Sequence, residues 1–154
     1  MFNTHVKRSA LSARSLLHKR VKDGDFLDCF SVASNLPPRR AAEIITDFPL
    51  WAQALVRLRG LIVAPFGISK AGPDAKDKVG IFPVEHANET ELIAGFNDRH
   101  LDFRVSVLSE NGKVSLATWV HRHNFGGRLY LTAIMPFHIL IARNALARLG
   151  RASA

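Results

Sequence analysis

The chain has very little cysteine and no long apolar run. Cys29 is the one cysteine among 154 residues, which excludes an intrachain disulfide framework and a multi-cysteine zinc site. No stretch of 18 consecutive apolar residues occurs, so the sequence predicts no transmembrane helix. The length is typical of one domain, and a chain of this size buries enough surface to fold without a covalent or metal staple.

Acidic residues are missing from both ends of the chain. Residues 1–22 carry six lysine and arginine side chains and no acid, and residues 111–154 also carry six and no acid. Residues 23–110 hold nine basic and thirteen acidic side chains. This distribution predicts a basic N-terminal arm, residues 1–22, before a single domain, residues 23–154. It disfavours one continuous nucleic-acid footprint despite the net charge of +8.

The arm has a weak helical pattern of its own. Ala13, Leu17 and Val21 recur at every fourth residue, which indicates a short amphipathic helix. An acid-free arm resembles a transit peptide, but it lacks the apolar core of a secretory signal. We favour an arm that packs one apolar edge on the domain of a cytoplasmic protein.

The common catalytic and cofactor motifs are absent. The sequence has no G-x-S-x-G elbow, no Walker loop and no G-x-G-x-x-G fingerprint, so no cofactor is predicted. Three histidines come near one face of the predicted sheet, but without the tight spacing of zinc ligands, so no metal site is predicted. Cys29 lies in an apolar strand pattern, which favours core packing over a nucleophile.

The first half of the predicted domain contains one strand and two helices. A strand is predicted over 25–34, and the prolines that follow it end the strand and suit the first turn of a helix. In the second helix, Trp51, Leu55, Leu58 and Ile62 form one stripe that is predicted to face the core. A polar loop is expected over 69–78.

From residue 79 onward the hydrophobic period is two. It predicts strands over 79–84, 92–96, 101–107, 114–120 and 129–135. Asn111-Gly112 predicts a type I′ turn, a second turn is expected at 125–127, and Pro136 is expected to end the sheet. A terminal helix over 137–149, capped by Gly150, completes the chain. This order predicts an α+β, helix-grip fold, in which an antiparallel sheet wraps around a long C-terminal helix and leaves an apolar cavity.

Polar side chains gather on one face of this predicted sheet. The Asn111-Gly112 turn sets Asp102 opposite His121, and the second turn sets His121 opposite Tyr130. Asp102 would then orient His121 for acid–base chemistry. The same alternation is also typical of an ordinary solvent-facing side of a sheet. The predicted face comprises His100, Asp102, Arg104, Trp119, His121, His123, Arg128 and Tyr130.

Two longer runs resemble a known family. The run GFNDRHLDFRVSV at 95–107 and the run GRLYLTAIMPFH at 127–138 are similar to the bacterial family called domain of unknown function 2867. The resemblance covers roughly residues 23–150. It implies a START-like fold of the helix-grip type, in a domain that occurs alone or appended to an NmrA-like domain. The family has no assigned catalytic residue or ligand, so none is transferred.

The leading hypothesis is a bacterial protein that binds a small apolar or amphipathic molecule between the sheet and the terminal helix. One alternative is an enzyme of cyclase, dehydratase or hydrolase type, which requires the Asp102–His121 face to point toward that helix. Another is an interaction protein whose basic ends contact an acidic partner. The candidate ligand-binding residues are Trp51, Leu55, His100, Asp102, Phe103, Arg104, Trp119, His121, Tyr130 and His138.

Overall fold

Seven strands and three α-helices form the described part of the chain. The computed structural model describes residues 6–63, 75–80, 82–98 and 100–153. The helices are α1 (Pro38–Thr46), α2 (Leu50–Val63) and α3 (Phe125–Ala152), and a short 3₁₀ helix occupies Leu16–Lys19. The strands are β1 (Lys7–Arg8), β2 (Phe26–Ala33), β3 (Lys78–Val79), β4 (Phe82–Ala87), β5 (Glu91–Asn97), β6 (Leu101–Glu110) and β7 (Lys113–Arg122).

All neighbouring strands are antiparallel, in the order β1-β2-β7-β6-β5-β4-β3. The face that meets α1 and α3, here called the inner face, carries the main core. Leu92, Val107 and Leu116 of the sheet lie there in one cluster with Leu146 and Leu149 of α3. The predicted α+β arrangement, a sheet with a long C-terminal helix on one face, is confirmed.

The tight turn between β6 and β7 sets the register of the two longest strands. Asn111 and Gly112 have φ angles of 52° and 73°, as a type I′ turn requires at both central positions. Asp102 therefore pairs with His121, and Arg104 pairs with Trp119. The register predicted from the Asn-Gly pair is confirmed.

The predicted last strand, 129–135, is wrong because α3 already begins at Phe125. Asn124 caps this helix, since its side-chain oxygen accepts the backbone N–H of Gly127 at 2.9 Å. The helix also starts very close to β6. A Cβ on Gly127 would lie 2.3 Å from the carbonyl oxygen of His100, so only glycine fits there. The glycines therefore mark a close approach, and the turn predicted at 125–127 does not form.

Two further details of α3 differ from the prediction. Pro136 lies inside the helix and ends no strand, and the helix continues past Gly150 to a C-cap at Ser153. By length and composition alone α3 could cross a membrane, although residues such as Ala145 and Leu149 are buried against the sheet. In the most apolar window of α3, 22% of the residues are buried inside the fold. The buried residues of α3 include Leu131 near its beginning as well as Ala142, Ala145 and Leu146 farther along.

The predicted apolar stripe of α2 does not face the core as one unit. Trp51 is 41% exposed and Leu58 is 52% exposed, whereas Leu55 is half-buried. The side chain of Ile62 lies outside the described residues, as do residues 69–74 of the predicted loop. Leu55 and Leu58 line the cavity described below, which leaves part of the surface of α2 without a packing partner.

The opposite face of the sheet, here called the outer face, is covered by the N-terminal arm. Leu17 is fully buried against Cys29, Ala117 and Trp119, with Val21 packed beside them. Glu91 fastens the arm, because it accepts hydrogen bonds from the Ser15 hydroxyl and the Leu16 backbone N–H. The arm thus packs an apolar edge on the sheet, as expected, through a 3₁₀ helix of four residues.

Candidate ligand-binding cavity

A cavity of about 500 Å³ lies between the inner face and the helices α2 and α3. Its wall is almost entirely apolar. The strands contribute Phe82, Phe96, Phe103, Val105 and Val120 to this wall. The helices contribute Leu55, Ile134, Phe137 and Ile141, among others. Ligand pockets for small molecules are typically of this size and are lined in this way, with few polar groups.

The cavity forms because the inner face is mainly apolar while the helices cover it incompletely. Alternation in β6 turns Phe103, Val105 and Val107 inward. The C-terminal half of α3 packs tightly against this face through Ala142, Ala145 and other small or branched side chains. Its N-terminal half carries Tyr130 and Ile134 along the cavity wall instead.

One histidine in this apolar wall is held by a buried acid. His138 of α3 lines the cavity, and its Nε2 lies 3.0 Å from Oδ2 of Asp28 on β2. The ring of Phe26 meets the His138 ring edge-on, with 6.3 Å between the ring centroids. The Asp28 side chain is 2% exposed, and its Oδ1 has no hydrogen-bond partner.

Asp28 is a residue that the sequence analysis missed. It stands between Phe26 and Phe30 on the inward-facing side of β2. An acidic residue in a series of alternate apolar positions was the sequence signal that could have identified it. A buried carboxylate is costly without partners. Its partner His138 lies 110 residues away in sequence.

The structure places four of the ten predicted site residues in the cavity wall and six away from it. Leu55, Phe103, Tyr130 and His138 line the cavity. The other six lie away from its wall: Trp51, His100, Asp102, Arg104, Trp119 and His121. Asp102, Trp119 and His121 instead border a smaller cleft of about 220 Å³ beneath the arm, together with Lys19, Arg20 and Lys22.

The polar face is therefore the outer face of the sheet, opposite α3. The predicted opposition of His121 and Tyr130 is wrong, because Tyr130 belongs to α3 and lines the cavity on the other side. Arg128, predicted to join the same face, also lies in α3. The enzyme alternative required these side chains to point toward the terminal helix, and that condition is not met.

Asp25, rather than Asp102, is the partner of His121. His121 Nδ1 lies 2.6 Å from Asp25 Oδ1, and Trp119 donates its indole N–H to Asp25 Oδ2 at 2.8 Å. Asp102 lies instead 2.8 Å from Nε2 of His123. The register placed Asp102 beside His121 correctly, but the segment before β2 brings a carboxylate closer.

Arg104 is buried on the outer face by a polar network. It donates to Glu85 at 3.0 Å, to Asn97 at 2.9 Å and to the carbonyl oxygen of Phe103 at 2.7 Å. Arg20 of the arm also pairs with Glu85. Burial lowers the pKa of Arg104, against an opposing effect of Asp102. These partners make Arg104 a link between the arm and the sheet.

No metal site occurs among the described residues, since no group of three or more histidine, cysteine or acidic side chains converges there. Cys29 is buried, and burial raises the pKa of its thiol. A thiol with a raised pKa is a poor nucleophile at neutral pH. Its contacts with Leu17 and Trp119 fit the predicted packing role.

The Asp25 contacts predict an acid-sensitive contribution to stability. Burial alone raises the pKa of Asp25, but hydrogen bonds from His121, the Lys22 backbone N–H and Trp119 outweigh it, so the net pKa is lowered. A lowered folded-state pKa stabilises the protein above the unfolded value of about 3.9, and this contribution disappears as the pH falls through the folded value. We expect Asp25→Asn to lower the free energy of unfolding by about 1–2 kcal/mol at pH 7.

Urea denaturation at pH 7 and at pH 3 measures this effect. The difference between the wild type and Asp25→Asn is expected to shrink at pH 3. Asp23→Asn, at a nearby exposed carboxylate, is the matched control and should track the wild type at both values. A difference for Asp25→Asn that stays the same at pH 3 would count against this account.

The sheet, the long helix over its inner face and the cavity between them define an α+β protein of the helix-grip type. Residues 20–145 match the family described as protein of unknown function (DUF2867), and the chain belongs to that family. No curated protein and no solved structure shows significant similarity to the chain. The resemblance noted from the two sequence runs is thus confirmed.

Proposed function

We propose that this protein binds a small, mainly apolar molecule in the cavity between the sheet and α3. The observation that carries the proposal is the cavity itself, with about 500 Å³ of space and an almost wholly apolar wall. The cavity opens to the surface, where the lining residue Phe137 is 49% exposed, and apolar surface that faces water is unfavourable. A ligand in this space would bury that surface and add van der Waals contacts.

The other two hypotheses receive less support. The enzyme alternative relied on a polar face that lies on the far side of the sheet from the cavity. For the interaction alternative, several basic side chains already have partners within the chain. Arg20 pairs with Glu85, and Arg148 donates to backbone carbonyls at the end of α1. A cytoplasmic location and the absence of a nucleic-acid partner stay predictions.

Filling the cavity is expected to weaken the binding of an apolar probe. Val105 of β6 lines the cavity at half-buried depth, so Val105→Trp places an indole in the space that a ligand would use. We expect the affinity for the neutral fluorescent probe N-phenyl-1-naphthylamine to fall at least tenfold. Fluorescence titration of the purified full chain measures it.

Two further variants make this test specific. Ala133→Trp adds an indole at the exposed edge of the same cavity, on α3, and should also weaken binding. Ala87→Trp, at the exposed end of β4 outside the cavity wall, should leave it unchanged. A wild-type protein that binds no apolar probe, or three variants that all bind like the wild type, would refute the proposal. Circular dichroism confirms that each variant is folded.

A further inference from the structure

The contact between Asp28 and His138 has the geometry of an oriented imidazole. A carboxylate only accepts hydrogen bonds, so the 3.0 Å contact between Asp28 Oδ2 and His138 Nε2 places the ring proton on Nε2. The other ring nitrogen, Nδ1, is then the acceptor of the neutral imidazole. The acid lies behind the histidine, because His138 lines the cavity and Asp28 does not.

This pair is not a complete structural unit. Buried polar atoms in a protein core normally have at least one hydrogen-bond partner, yet Oδ1 of Asp28 is buried without one. The ring of Phe26 meets the His138 ring edge-on, with 6.3 Å between centroids, and Thr118 stands opposite Asp28 in the sheet. Holding His138 with a buried carboxylate that has one unpartnered oxygen costs free energy. A role of His138 in ligand recognition accounts for that cost.

We propose that His138 is the polar anchor of the cavity and that its ligand carries a hydrogen-bond donor, such as a hydroxyl group, on an otherwise apolar body. The ligand donates to His138 Nδ1, and Asp28 acts as a positioning residue that holds the tautomer. The inference rests on the proposed function and goes further, because it names the ligand class as apolar alcohols and related N–H or O–H donors.

A pair of isomeric probes tests the donor requirement. 1-Decanol and 1-methoxynonane have the same atoms, but only the alcohol can donate a hydrogen bond. Both are titrated against bound N-phenyl-1-naphthylamine. We expect the wild type to prefer the alcohol about tenfold, since a buried polar group that loses its partner is penalised on this scale.

Substitution of the anchor should remove the preference and leave apolar binding intact. In His138→Phe the affinity for the ether should stay within about twofold of the wild type, and the affinity for the alcohol should fall to the same level. His138→Gln, whose amide oxygen also accepts a hydrogen bond, should keep part of the preference. This second variant keeps the test decisive if His138→Phe folds poorly.

The positioning role of Asp28 has a separate readout. Asp28→Asn preserves the volume but replaces one carboxylate oxygen with an NH2 group. The nitrogen-15 chemical shifts of His138 report which ring nitrogen carries the proton, and we expect the Nε2–H form in the wild type and a mixture of tautomers in the variant. A tautomer that does not change would overturn the role assigned to Asp28.

The outcomes for the two proposals are distinguishable. If the wild type binds the alcohol and the ether equally, or if His138→Phe keeps the preference, the anchor is overturned and the apolar cavity stands. If neither compound displaces the probe and the probe itself does not bind, both proposals are overturned. If the preference for the alcohol is lost only when His138 is replaced, the result supports both proposals.

Discussion

Replacing Glu91 with alanine is expected to lower the free energy of unfolding by about 3 kcal/mol. The Glu91 residue is 2% exposed and receives three hydrogen bonds. Its Oε2 accepts the hydroxyl groups of Ser15 and Ser106, each at 2.5 Å, and its Oε1 accepts the backbone N–H of Leu16 at 2.9 Å. Alanine would leave these donors without a partner in a largely dry site, which is the costly way to lose a hydrogen bond.

The same substitution is expected to release the arm, because Glu91 on β5 holds Ser15 and Leu16 of the arm, about 75 residues earlier in the chain, by hydrogen bonds. Urea denaturation measures the loss of stability, and amide hydrogen exchange over residues 9–22 measures release of the arm. Glu91→Gln keeps the size and one acceptor, so its loss should be clearly smaller. Glu89→Ala, at an exposed neighbouring acid, should change neither quantity. Unchanged exchange in the arm of Glu91→Ala would contradict this role.

Replacing Phe30 with alanine is expected to cost about 3–5 kcal/mol of unfolding free energy. Phe30 is 1% exposed and is among the largest fully buried side chains of the described residues. It packs in the main core, and the guanidinium groups of Arg8 and Arg143 lie 5.5 and 5.2 Å from its ring centroid. The substitution would remove this packing, leave a void and end both cation–π contacts.

Leu27→Ala is the matched control for Phe30→Ala. Leu27 is on the same strand but on the opposite face, and it is 36% exposed, so we expect a loss below about 1 kcal/mol. Urea denaturation of both variants at one pH gives the comparison. A loss below about 2 kcal/mol for Phe30→Ala would mean that the core around β2 relaxes to fill the space.

The strands were predictable because their signal is local. Period-two alternation in Leu101, Phe103 and Val105 identified β6 and the apolar side chains that share one of its faces. The Asn111-Gly112 pair then determined the register of β6 and β7, since a two-residue turn permits one pairing. These predictions depend on neighbours in sequence and needed no tertiary information.

The beginning of α3 was not predictable in the same way. Leu129, Leu131 and Ala133 alternate like a strand, while Tyr130, Ile134 and Phe137 equally fit a helix. A short apolar run does not separate the two. Packing decided the matter, because Asn124 caps the helix and Gly127 permits its close approach to His100. The Asn124 cap was the local signal that was available.

The candidate site was also predictable from the sequence only in part. Alternation predicted that Asp102 and His121 share a face, and the pairing confirms it. It did not indicate that this face would meet the arm rather than α3, because either face of an antiparallel sheet can be covered. Leu55, Phe103, Tyr130 and His138 line the cavity, whereas Trp51 and Trp119, which were also expected there, do not.

The amino-acid sequence by itself determined most of the strands along the chain, the α+β class, the register of the central hairpin and the family. The tertiary structure decided which face of the sheet encloses the cavity, and it paired His121 with Asp25 and His138 with Asp28 across 96 and 110 residues. The physical reason is that secondary structure and turns follow from contacts over a few residues. A cavity and its buried polar pair exist only after distant segments have packed together.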